Sequence, residues 1–171
     1  MDFALQNTIN RANGQYFEDL ISSALDFYRE KGFCCIDKTP EPMKVIRNLK
    51  NGRFESVYTK KAQPDYKGVL LGGQAIIFEA KYTDTDQIKQ SVVTPVQTDV
   101  IEQFQKLGAK CYVMVGMQNM YVYRVPWDVW KGMKDIFGHK YMNAQELKKY
   151  AVQYHKGVYR ILDGIEIRDF D

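Results

Sequence analysis

The stretch QPDYKGVLLGGQAIIFEAKYT, residues 63–83, limits the possible folds more than any other part of the chain, because it places ionic groups in what reads as core. Such groups are costly there unless they are paired or bound to a metal. Side chains alternate along a strand, so Glu79 and Lys81 share one face while Ala80 points the other way. The stretch divides into strands at about 64–70 and 74–81, joined at Leu71-Gly72-Gly73. With a three-residue loop, Leu70 pairs with Gln74 and Asp65 falls opposite Glu79. A two-residue Gly-Gly turn sets Asp65 against Ala80, on the wrong face, unless a bulge restores it. The longer loop or a bulge therefore brings Asp65, Glu79 and Lys81 together.

Two adjacent carboxylates flanked by an ammonium suit a hard divalent cation. Mg2+ takes oxygen ligands from one or two carboxylates, keeps several waters and accepts phosphate oxygens. Without a metal the carboxylates repel and one pKa rises. Lys81, held beside the metal, would orient or help deprotonate an attacking water and stabilise charge developing on a phosphate. That combination points to phosphodiester hydrolysis. On residue types alone, a structural Asp–Lys–Glu ion-pair cluster on a wet sheet face fits as well.

Length and composition set the frame. A chain of 171 residues is the size of one domain, here 1–171, and 26% charged with 45% hydrophobic residues describes a soluble globular protein. It has no apolar run long enough for a bilayer and no basic-then-apolar leader, so the expectation is a cytoplasmic protein without a membrane partner. Cys34, Cys35 and Cys111 lack metal or disulfide spacing and read as reduced thiols. The net charge of +3 says little, but its distribution says more. Lys44, Arg47, Lys50, Arg53, Lys60 and Lys61 stand against one acid, Glu55, in a segment that suits a phosphate backbone.

The coarse layout is α-β-(hairpin)-β-β-α-β-β-α. Residues 15–31 place Phe17, Leu20, Ile21, Ala24, Leu25 and Tyr28 at helical spacing, stopped by Gly32. FCCI (33–36) reads as a strand broken by KTPEP. Residues 44–58 read as a hairpin turning at Asn51-Gly52, with one solvated face, standing as a basic projection away from the core. Residues 96–108 form a second amphipathic helix with Val96, Val100, Ile101, Phe104 and Leu107 inward. Strands follow at 111–115 and 120–125, then a short helix at WDVWKGM, and Asn143 with Glu146 caps a last helix over AQELKKYAV. The fold class is α/β, a mixed central sheet flanked by helices. Trp127 and Trp130 read as packing residues, and His139 and His155 have no partner spacing for zinc or a triad.

The spacing carries a resemblance. Pro64-Asp65, thirteen intervening residues, then Glu79-Ala80-Lys81 resembles the PD-(D/E)xK nuclease signature, with Glu18 on the preceding helix and Gln97 on the following one in that superfamily's order. From about Asn10 to Ile167 the chain is similar to RecU-type Holliday junction resolvases of low-GC Gram-positive bacteria and their phages. The pieces that carry this are NRANGQYFEDLI (10–21), IDKTPEPMKV (36–45), PDYKGVLLGGQAIIFEAKYT (64–83) and VQTDVIEQFQKLGAKCYVMV (96–115). The resemblance implies a restriction-endonuclease-like domain with a projecting basic hairpin stalk, about 44–61. It also implies a homodimeric, Mg2+-dependent endonuclease, with Mn2+ as a substitute, that nicks four-way or branched DNA symmetrically in recombination and repair, alongside recombinase or branch-migration partners.

Carried over by position, Asp65, Glu79 and the carbonyl of Ala80 hold the metal, Gln97 lies close to it, and Lys81 stabilises the transition state. Glu18 works in the surrounding shell or at a second metal. Arg11 and Lys67 face DNA, with the stalk residues Lys44, Arg47, Lys50, Arg53, Lys60 and Lys61. Where the family has a Thr two residues before the Asp, this chain has Gln63, which takes that ligand position here. The stalk is short and the segment after Lys81 fits with a small gap, departures that bear on junction selectivity. Two alternatives stand beside this reading: a related nuclease acting on linear or branched duplex, and a non-catalytic junction-binding factor.

Overall fold

The computed structural model describes residues 3–40, 42–58 and 63–166. A five-stranded mixed sheet forms its centre, in the order β1-β4-β5-β7-β8. The strands are β1 (Cys34–Lys38), β4 (Tyr66–Leu70), β5 (Ala75–Tyr82), β7 (Lys110–Met117) and β8 (Tyr121–Pro126). Only β5 and β7 run parallel, and the crossover between them carries helix α2 (Pro95–Lys106). A parallel pair requires such a crossover, which is why a helix follows Lys81. β5 is central, and Ile76 to Ala80 is buried without interruption because both faces are covered.

One face packs on helix α1 (Phe3–Glu30), where Phe17, Ile21, Leu25 and Tyr28 meet Ile76, Phe78, Ala80 and Met114. Each of the Ile, Leu, Phe and Met side chains among these contributes about 1.5–3 kcal/mol by leaving water. The helix starts at Phe3 rather than near residue 15, since nothing in the preceding dozen residues breaks it apart from Gly14, which a helix tolerates at about 1 kcal/mol. The opposite face packs on α2 and on helix α3 (Trp127–Lys131), burying Ile77, Val113 and Val115 against Ile101, Trp127 and Trp130. Val96 and Leu107, expected inward, are exposed. Val96 lies in the first turn on the solvent side, beside Gln97, which reaches the sheet, and Leu107 is the C-terminal cap, past the last helical residue.

Several small elements lack a periodic signal long enough to read. Helix α4 (Met133–Phe137) follows α3 after Gly132, and strands β6 (Gln87–Lys89) and β9 (Tyr141–Asn143) pair with each other. Asn143 and Glu146 form the expected capping box, but helix α5 (Ala144–Leu147) passes into a 3-10 turn after one turn. β10 (Tyr154–His155) and β11 (Val158–Tyr159) form a short hairpin near the C-terminus.

The basic segment folds as strands β2 (Met43–Asn48) and β3 (Phe54–Tyr58), separate from the central sheet. Asn51 and Gly52 both take positive φ, 64° and 71°, as the tight turn requires. The expectation of one solvated face understates the exposure, since every side chain of β2 is exposed. Two features pin β1 to β4: the five-pair antiparallel register, and Gly68, whose absent Cβ would lie 2.0 Å from the carbonyl oxygen of Cys35. No helix among the described residues is long and apolar enough to cross a membrane.

Candidate active site

The connection between β4 and β5 has the three-residue form. Leu70 N–H donates to the Gln74 carbonyl at 2.9 Å, and Tyr66 pairs with Phe78, so continuing the register sets Asp65 against Glu79. β4 stops at Tyr66, while β5 runs on to Tyr82. The Asp65 side chain takes over where the ladder ends, its Oδ2 accepting from the Ala80 N–H at 2.8 Å. The backbone of Asp65 is held too, since its carbonyl accepts from Thr39 N–H at 2.8 Å.

Glu79 is fully buried, at 0% exposure, on the face toward α2. Its Oε1 accepts from Lys81 Nζ at 2.6 Å and from Gln97 Nε2, while its Oε2 is buried with no partner. Burial, followed by the negative charge of Asp65, raises the Glu79 pKa from 4.5 to about 7 despite the opposing charge of Lys81. Near neutral pH the carboxyl group therefore stands ready to trade a proton for a cation. Lys81 runs from this buried acid outward, its side chain 23% exposed.

Gln97 reaches Glu79 because of how α2 begins. Thr94 is the N-cap, its side chain accepting from Gln97 N–H at 3.3 Å, and Gln97 Oε1 accepts from Thr94 N–H at 2.9 Å. This reciprocal capping box engages the oxygen of the Gln97 amide and leaves its N–H to face the carboxylate. The sequence carried the signal for this, a Thr followed three residues later by Gln with Pro at the first helical position.

The other expected residues lie around this centre. Glu18, on α1, pairs with Lys38 of β1, and its backbone carbonyl accepts from Tyr66 Oη at 2.9 Å. Lys38 was not singled out from sequence. It alternates with buried Ile36 onto the α1 face, and its pKa is raised first by its bond to Glu18, with the charge of Asp65 also contributing. Gln63 is exposed and accepts from Lys67 Nζ at 2.6 Å, so these two residues pair with each other. Arg11 is exposed on α1. In the hairpin, Lys44 pairs across from Val57 and Arg47 from Glu55, with a register shift between Val45 and Arg47. That bulge puts two basic residues of odd spacing on one face, since Val57 and Glu55 are two apart. Lys50 and Arg53 flank the turn, and Lys60 and Lys61 lie outside the described residues.

No cluster of three or more His, Cys, Asp or Glu side chains suited to a metal occurs among the described residues. Two carboxylates suffice for a hard cation that keeps its waters, and an unpartnered buried carboxylate oxygen beside a second acid fits one. The chain resembles the Holliday junction resolvase Hjc of Archaeoglobus fulgidus at a TM-score of 0.49, with 10% identity over 77% of this chain and 92% of that one. It is 25% identical to the Holliday junction resolvase RecU of Geobacillus kaustophilus, over 91% of this chain and 82% of that protein. The profile described as Recombination protein U matches residues 12–169, nearly the full length, and the chain therefore belongs to the Recombination protein U family.

Proposed function

We propose that this chain is an endonuclease that resolves four-way DNA junctions by Mg2+-dependent phosphodiester hydrolysis, working as a homodimer. The observation that carries the proposal is the buried Glu79, with one oxygen unpartnered, beside Asp65 and Lys81 at the end of β5. The residues that would hold the metal are Asp65, Glu79 and the carbonyl of Ala80. A strand residue's N–H and C=O project to the same edge, and the Ala80 N–H faces Asp65. The bound metal supplies Lewis-acid polarisation of a phosphate and a water of lowered pKa.

The protein side chains do the rest. Glu79 would give up its proton on holding the metal, at small cost because its pKa lies near neutrality. Gln97 and Lys81 fix the orientation of Glu79 through Oε1, leaving Oε2 for coordination. Lys81, at the rim of the buried cluster, offsets negative charge that develops on the phosphate. Lys38 neutralises Glu18 next to Asp65, so the acids outside the metal site do not repel the DNA. The exposed cations of the β2–β3 hairpin supply backbone contacts that position the DNA. Matched nicks on opposing strands need two such sites related by a two-fold axis, which a homodimer provides.

The test is a cleavage assay on a labelled four-way junction and a linear duplex of the same sequence, with and without Mg2+, comparing wild type with Asp65→Ala and Lys81→Ala. Paired Mg2+-dependent nicks in the junction alone, lost in both variants while binding persists, are the expected result. Equal cutting of the linear duplex would instead make this a general nuclease. Binding without any cutting by wild type would make it a junction-binding factor.

A further inference from the structure

A second cationic surface lies on the other face of the central sheet. Residues 148–160, KKYAVQYHKGVYR, carry Lys148, Lys149, Lys156 and Arg160 with no acidic residue. This run borders a cleft of about 320 Å3 between β8 and the C-terminal segment, into which Arg124, Lys149 and Arg160 all face. Among the described residues no carboxylate lies within ion-pair distance of any of the three. Arg124 spends its Nη1 on the carbonyls of Ile161 at 2.7 Å and Asp163 at 2.9 Å, which satisfy hydrogen bonds without cancelling charge. Burial lowers its pKa, the mark of a cation held partly out of water. The one acid that lines the cleft, Asp163, accepts from the Tyr28 hydroxyl, and its charge offsets only part of the three cations. Arg160 and Lys149 rest on aromatic rings, Arg160 at 4.4 Å from the centre of Phe27 and Lys149 at 5.0 Å from that of Tyr150. Those contacts hold the cations in place without neutralising them.

We infer that this cleft binds a phosphodiester of the DNA backbone, as a contact surface separate from both the carboxylate cluster and the β2–β3 hairpin. The placement explains what such a contact would serve. Arg124 shares a face with Val122, which packs toward α1, whereas Glu79 faces α2. β8 is two strand spacings, about 10 Å, from β5, which carries Glu79 and Lys81. A phosphate held there lies on the opposite face of the sheet from the carboxylate cluster. Tyr154, at the base of the β10–β11 hairpin, is 63% exposed beside the cleft's basic segment, giving the interleaving of cations and aromatics that nucleic acid favours. The inference rests on the proposal that this chain binds branched DNA.

The test measures the affinity of the full chain for a four-way junction, by anisotropy in EDTA, across a salt series. Wild type is compared with Lys149→Gln/Arg160→Gln and with the charge-keeping Lys149→Arg/Arg160→Lys. Each lost phosphate contact lowers the slope of log affinity against log salt by about 0.9. The neutral pair is expected to lose about 1–2 in slope and about tenfold in affinity at moderate salt, with the charge-keeping pair restored to wild type. A slope unchanged in the neutral pair, or a charge-keeping pair as weak as the neutral one, would overturn the inference. A wild type that binds but never cuts with Mg2+ would remove the nuclease proposal and leave the slope comparison standing.

Discussion

Replacing Glu79 with Gln should stabilise the metal-free protein at alkaline pH. The unfolded chain ionises this acid near 4.5 and the folded chain near 7, so between those values folding takes up a proton. Stability from this group is therefore fully present below about 4.5, falls as pH rises through about 7, and is constant beyond. A tenfold change in a protonation constant is worth about 1.4 kcal/mol, so the rise from 4.5 to about 7 corresponds to about 3 kcal/mol of lost stability at pH 8. Glu79→Gln keeps the shape and an oxygen for Lys81 and Gln97 while removing the charge. In EDTA at pH 8 it should gain about 3 kcal/mol, a figure that already includes the attraction of Lys81, hence roughly 6–12 °C in melting temperature for a chain of this size. At pH 4.5 the two proteins should melt together. A gain of equal size at both pH values, or none at pH 8, would refute the account of Glu79 as a buried acid strained by its site.

On the proposed ligand role of Glu79, adding Mg2+ at pH 6.5 should release about three-quarters of a proton per site, and the release should vanish by pH 8.5. A weakly buffered indicator titration reads this directly. Lys81→Ala should cut single-turnover cleavage of a bound junction by about 100-fold or more and leave the affinity unchanged, as expected of a group that acts on transition-state charge. Gln97→Ala should lower stability by about 1 kcal/mol through the broken capping box and cut activity about 10–100-fold through a misdirected Glu79, read by denaturant melts and single-turnover rates. Gly68→Ala should cost about 4 kcal/mol or more, since its Cβ would lie 2.0 Å from the carbonyl oxygen of Cys35, and should be recovered as insoluble or unfolded protein in expression and circular dichroism.

The site was legible wherever local rules fix geometry. Strand alternation put Glu79 and Lys81 on one face, and the three-residue loop put Asp65 opposite, so a single run of residues 63–83 encodes most of the cluster. Lys38 was not legible, because its partner Glu18 is twenty residues away on a helix and only tertiary packing joins them. Val96 and Leu107 were misplaced for a related reason: helical periodicity says which residues share a face, but not which residues at the two ends of the helix find a packing partner. The basic run at 148–160 escaped notice because elements of two residues carry no periodicity, and only the fold brings Arg124 beside it.

The capping box at the start of α2 ties the working temperature of the active site to the stability of a single helical turn. Helix ends fray well before a protein unfolds, because local opening costs less than global opening. When Thr94 and Gln97 let go of each other, the amide that steers Glu79 swings free and the buried acid keeps only Lys81. Activity should then fade some degrees below the melting point, while the two cores on either side of the sheet remain intact. The first turn of α2 thus acts as a thermal fuse, disarming the site before heat loosens the rest of the fold.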